Sequence, residues 1–121
     1  MFLNLGIIGF GRIGKEVAKI ALGIGMKVVA NDGYVGEAII NVPFYYGQSI
    51  DVKIETEAFE EVIKLADFIT LHVPNQEEYI IGDAQFKIMK DGVGIINAAR
   101  GGVIDEVGLV KAIYQLRFSR R

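Results

Sequence analysis

The chain of 121 residues contains no cysteine. That excludes disulfides, thiolate nucleophiles and zinc–thiolate sites together, and it fits a reducing compartment, with the cytoplasm as the expected location. Histidine occurs once, at His72, with no convergent pair of carboxylates beside it, so no metal site is expected. No apolar run approaches the roughly 20 residues that a membrane span needs. The start, MFLNLGIIGFGRIG, lacks the basic segment of a signal peptide and breaks its apolar run with glycines. An excess of one charge is also missing. Thirteen basic residues against 15 acidic ones give a formal charge of -2, which favours neither nucleic acid nor an anionic membrane as partner. The basic end, LRFSRR, reads as cations near a helix C-terminus followed by a frayed tail.

What is present describes a folded domain. Hydrophobic residues make up 51% of the chain and charged residues 23%, and the length is that of one domain able to bury a core. Apolar runs of strand length alternate with segments of helical period. Leu3 to Ile8 is a nearly continuous apolar run, as expected for a strand covered on both faces. Between Arg12 and Ile24, the residues Ile13, Val17, Ile20, Ala21 and Ile24 recur at three- and four-residue spacing and predict one face of a helix. Further strands are expected at 26–30, 52–54, 67–73 and 92–97. Helices are expected around Phe59 to Ala66, over 82–90, and from a cap at Asp105. Residues 33–50 read least clearly, because Pro43 would disrupt the interior of a short helix there. The alternation predicts an α/β fold of Rossmann-like type. It is a doubly wound parallel sheet of about five strands, in the order 3-2-1-4-5, with helices on both faces.

The sharpest motif is GIIGFGRIG, in which Gly9, Gly11 and Gly14 form G-x-G-x-x-G between a strand and a helix. The first glycine permits a tight turn, the second lets the backbone approach a pyrophosphate, and the third lets helix and strand pack closely. The N–H groups of Arg12 and Ile13 then face an anion at a helix N-terminus. Asp32 lies 18 residues beyond Gly14, at the end of the second strand. A carboxylate there accepts hydrogen bonds from the adenosine ribose and repels a 2′-phosphate, which favours NAD over NADP. The plain alternative is a structural turn and an unrelated aspartate in NDG.

Ligands of doubly wound sheets bind beyond the carboxyl ends of the strands, so two later strand ends matter. In LHVPN, His72 and Pro74 close a strand, and the imidazole suits cofactor lining or a structural role better than acid–base catalysis. In NAARGGVID, Ala98 and Ala99 allow a ligand close to the backbone, and Arg100 offers a fork that matches a carboxylate. An ordinary surface arginine paired with a nearby acid fits the same spacing.

Three linked stretches carry a family resemblance: LGIIGFGRIGKEVAKIALGIGMKVVAND, ADFITLHVP and FKIMKDGVGIINAARGGVIDE. Together they resemble the cofactor domain of D-isomer-specific 2-hydroxyacid dehydrogenases, with phosphoglycerate dehydrogenases the nearest kind. The resemblance implies that Gly9, Gly11, Arg12, Ile13 and Gly14 hold the pyrophosphate of NAD and Asp32 its ribose. It implies that His72, Val73 and Pro74 line the cofactor, and that Ala98, Ala99 and Arg100 approach its nicotinamide half. Arg100 would bind the carboxylate or carbonyl of a small 2-hydroxy or 2-oxo acid, as the one catalytic-site residue within this chain. Family members move a hydride between NAD and C2 of the substrate, assisted by a histidine whose pKa a glutamate raises.

The resemblance places that glutamate and histidine beyond Arg121, and the substrate-binding domain outside the chain. The 121 residues are therefore expected to form part of an NAD-binding domain that is inactive by itself. The alternative is a dinucleotide-binding module, or a Rossmann scaffold without ligand. The sheet edge after GVGIIN would then stand uncovered, and a homodimer through that edge or through apolar surface is expected. Asn31, Gly33, Gly94 and Gly108 depart from the family pattern, Gly94 by interrupting an apolar strand.

Overall fold

The computed structural model describes residues 2–73 and 81–97. In chain order its elements are β1 (Asn4–Ile8), α1 (Arg12–Gly23), β2 (Lys27–Asn31), β3 (Glu37–Pro43), β4 (Ser49–Glu55), α2 (Phe59–Leu65), β5 (Phe68–Leu71), α3 (Asp83–Ile88) and β6 (Gly94–Asn97). Four strands make one parallel sheet in the order β2-β1-β5-β6. The predicted helix from Asp105, and the stretch from Ala98 that precedes it, lie outside the described residues.

Alternation along β1 explains the two-sided core. Leu5 and Ile7 face α1 and pack with Phe10, Ala18, Ala21 and Ala30, whereas Ile8 faces α2 and packs with Val62, Ile63, Ala66, Ile69 and Leu71. Both faces of the sheet are thus covered, which is why its strands read as near-continuous apolar runs. Ile7, Ile63 and Ile69 are fully buried. Each such side chain contributes about 1.5–3 kcal/mol relative to exposure.

Helix α1 forms where its period predicts it. Of the predicted face, Ala21 is buried and Val17 packs against the core, but the isoleucines do neither. The residues against the sheet are Gly14, Ala18 and Ala21. Ile13, Ile20 and Ile24, assigned to the core by their spacing, are exposed at 66%, 65% and 73%. Close approach of helix to sheet selects small side chains at the contact, and the branched ones are displaced to the flank.

Residues 33–50 hold no helix. They supply β3, which pairs with β4 as an antiparallel hairpin in the register Ala38↔Ile54, Ile40↔Val52 and Val42↔Ile50. Ile40, Val42 and Ile54 are buried and join the α1-side core, while Glu37, Asn41, Asp51, Lys53 and Glu55 stand outside. Pro43 is tolerated because it ends β3. The third strand of the expected 3-2-1-4-5 order is therefore β4. It belongs to this hairpin and reaches β2 only through a parallel bridge just past its end, Ala30↔Thr56.

Gly94 has a packing reason. It lies opposite Phe68 in the β5–β6 register, and a Cβ there would come 2.6 Å from Cδ1 of the Phe68 ring. The missing side chain makes room for the ring.

Candidate functional site

The carboxyl ends of β1, β2 and β5 meet at the glycine loop. Gly9 follows β1 with φ +95, in the left-handed region that favours glycine. Its N–H donates to the Asn31 carbonyl at 2.9 Å, tying the loop to the end of β2. A Cβ at Gly9 would stand 2.5 Å from the His72 carbonyl oxygen, and one at Gly14 would collide with the Gly9 carbonyl oxygen. Around Gly11 the space is open, with nothing beyond its own chain neighbours within 4 Å of where its Cβ would be. Gly9 and Gly14 thus serve the turn and the close helix packing assigned from spacing, and the backbone at Gly11 is open to approach.

Helix α1 begins at Gly11, which has no side chain to cap it, and no acidic residue occupies the first turn. Its first bonded turn runs from the Lys15 N–H to the Gly11 carbonyl at 2.9 Å. The N–H groups of Arg12, Ile13 and Gly14 precede that turn and, by helix geometry, have no partner within the helix. An anion above Gly11 meets those donors and the positive end of the helix dipole.

Asp32 sits at the mouth of this loop. Its Oδ2 accepts the Phe10 N–H at 2.7 Å, and its Oδ1 accepts the N–H of Tyr34 at 2.8 Å and of Val35 at 3.2 Å. Burial raises the carboxyl pKa, but the bonds from Tyr34, Phe10 and Val35, with Lys15 nearby, outweigh it and hold Asp32 below the usual carboxylate range. The group is a fixed anion with acceptor capacity left over, as a ribose diol requires.

His72 lies beside the loop. Its N–H donates to the Ile8 carbonyl at 2.7 Å, and its Nε2 lies 2.8 Å from the buried Thr70 Oγ1. Burial lowers its pKa below the ordinary histidine value, favouring the neutral imidazole. Val73, half-buried, lies against Gly9. Pro74, Ala98, Ala99 and Arg100 lie outside the described residues. Among the described residues no cluster of His, Asp or Glu is placed to hold a metal, and no helix is long and apolar enough to cross a membrane.

Two contributors were not read from the sequence as parts of this site. Asn31, noted only as a departure, donates from Nδ2 to the Glu57 carbonyl at 2.8 Å. Thr56 donates to carbonyls in the turn after Asp32. Neither carries a motif, because each acts through a loop distant in sequence.

Comparison with known proteins gives the same picture. A family model, D-isomer specific 2-hydroxyacid dehydrogenase, NAD binding domain, matches residues 3–119. D-3-phosphoglycerate dehydrogenase 3, chloroplastic, of Arabidopsis thaliana is 42% identical over 112 residues, which are 91% of this chain and 18% of the plant protein. Hydroxypyruvate reductase of Thermotoga maritima is 43% identical over 112 residues, 91% of this chain and 33% of that protein. Among solved structures, the NAD complex of a D-isomer specific 2-hydroxyacid dehydrogenase from Lactobacillus delbrueckii ssp. bulgaricus superposes with a TM-score of 0.76 at 35% identity. The match covers 94% of this chain and 32% of that one. The chain thus spans a third or less of the length of each of these proteins.

Proposed function

Since the chain belongs to the D-isomer specific 2-hydroxyacid dehydrogenase family, through its NAD binding domain, we propose that it holds NAD across the carboxyl ends of β1, β2 and β5. The observation that carries this is the uncapped start of α1 beneath the open space at Gly11, with the Asp32 carboxylate fixed beside it. In this reading the N–H groups of Arg12, Ile13 and Gly14 bind the pyrophosphate. Asp32 accepts the ribose hydroxyls and disfavours a 2′-phosphate by charge. His72 and Val73, with Pro74, line the cofactor, and His72 keeps its own imidazole bonded to Thr70.

NAD, when bound, supplies the acceptor or donor for a hydride at C2 of the substrate. The substrate class we assign is a small 2-hydroxy or 2-oxo acid, as in phosphoglycerate dehydrogenases. Arg100 binds its carboxylate through paired N–H donors, and Ala98 and Ala99 leave the nicotinamide half room near the backbone. The 121 residues act as one NAD-binding unit. The reading includes a cytoplasmic setting, consistent with the lack of cysteine. It also includes self-association through apolar surface, consistent with the exposed Ile13, Ile20 and Ile24.

Calorimetric titration tests the cofactor assignment. NAD is expected to bind the chain more tightly than NADP, and Asp32→Ala to weaken NAD about tenfold while removing that preference. Equal affinity of wild type and Asp32→Ala for NAD would contradict it.

A further inference from the structure

The turn after β2 is gripped from two sides. On one side Asp32 accepts the N–H groups of Tyr34 and Val35. On the other, the Thr56 hydroxyl lies 2.8 Å from the Val35 carbonyl and 3.0 Å from the Gly36 carbonyl, sharing its one proton between them. The Thr56 N–H donates to the same Gly36 carbonyl at 2.9 Å. Val35 is therefore bonded through its N–H to Asp32 and through its carbonyl to Thr56.

Thr56 is itself anchored to the sheet. It bridges Ala30, the next N–H, of Glu57, donates to the Ala30 carbonyl at 2.8 Å, and the Glu57 carbonyl accepts from Asn31. The hairpin of β3 and β4 leaves this turn at Gly36 and returns to it at Thr56. A threonine in that place closes the base of the hairpin and clamps the turn against β2.

We propose that Thr56 is a positioning residue for the adenosine ribose of the cofactor, fixing the turn whose N–H groups aim the Asp32 carboxylate. The inference rests on the NAD reading above. Without the hydroxyl, the Val35 carbonyl loses its Thr56 donor, the Gly36 carbonyl keeps only the Thr56 N–H, and the turn gains freedom. Ordering it again then opposes binding, although Thr56 touches no ligand.

The test is titration of the 121-residue chain and its variants with NAD, NADP and ADP-ribose, each variant first checked for its fold by circular dichroism. Thr56→Val is expected to weaken NAD and ADP-ribose about fivefold and to reduce the preference for NAD over NADP. Thr56→Ser, which keeps the hydroxyl, is expected to restore both. In an Asp32→Ala background Thr56→Val should add no further loss, since its effect passes through that carboxylate. Should Thr56→Val lose its fold, Thr56→Ala is read in the same way. A folded Thr56→Val that binds ADP-ribose like wild type overturns the inference alone, as does a loss that persists in full beside Asp32→Ala. Wild-type protein that takes up neither NAD nor ADP-ribose overturns the NAD reading and this inference with it.

Discussion

A side chain at position 9 would meet two obstacles at once. The backbone there has φ +95, and a Cβ would press on the His72 carbonyl at 2.5 Å. Gly9→Ala should therefore lower the unfolding free energy by about 1–3 kcal/mol from backbone strain, with the collision adding to it. Urea denaturation measures this, and an unchanged midpoint would show that the loop relaxes freely. The acidity of Asp32 is set by neighbours rather than by ligand, because Tyr34, Phe10 and Val35 already hold the carboxylate ionised. The motif glycines and Asp32 were legible in the sequence because their tasks are local: a turn, an approach, a charge at a strand end. Thr56 was not legible, since its contribution depends on a hairpin returning to the turn it left.

Among the described residues, the strands and helices that a period or an apolar run defines lie within a few residues of where the sequence puts them. The buried face of α1 is turned from the expected one, keeping Ala21 and Val17 at the core but not Ile13, Ile20 or Ile24. Hydrophobic period locates the stripe richest in isoleucine, whereas sheet contact at close range selects Gly14, Ala18 and Ala21. The hairpin was missed for a related reason. In β3 the inward residues Ala38, Ile40 and Val42 alternate with outward ones, but outward Ile39 hides the alternation and Pro43 marks only its end. Gly94 illustrates how one element explains another, because the Phe68 ring on β5 occupies the place of its side chain. Gly94→Ala should cost about 1–3 kcal/mol, and a prior Phe68→Leu change should remove much of that cost. Strictly additive losses in the double variant, measured by thermal unfolding, would show that the pair does not interact.

At the scale of the whole molecule, one parallel sheet gathers three strand ends onto a single rim. Hydrogen bonds join them there: Gly9 to Asn31, His72 to Ile8, and Phe10 to Asp32. The β3–β4 hairpin adds a fourth support through Thr56. The order of the four sheet strands was readable from the sequence, because the crossover of a doubly wound fold determines which loops meet. The central claim is that this rim, as the NAD binding domain of a 2-hydroxyacid dehydrogenase, receives the cofactor with its pyrophosphate at the start of α1. Amide chemical-shift mapping by NMR during titration with NAD tests that claim most directly. The largest shifts are expected at Gly11, Arg12, Ile13 and Gly14, with a second group from Asp32 to Val35. Shifts confined to residues away from this rim, or none at saturating NAD, would contradict it.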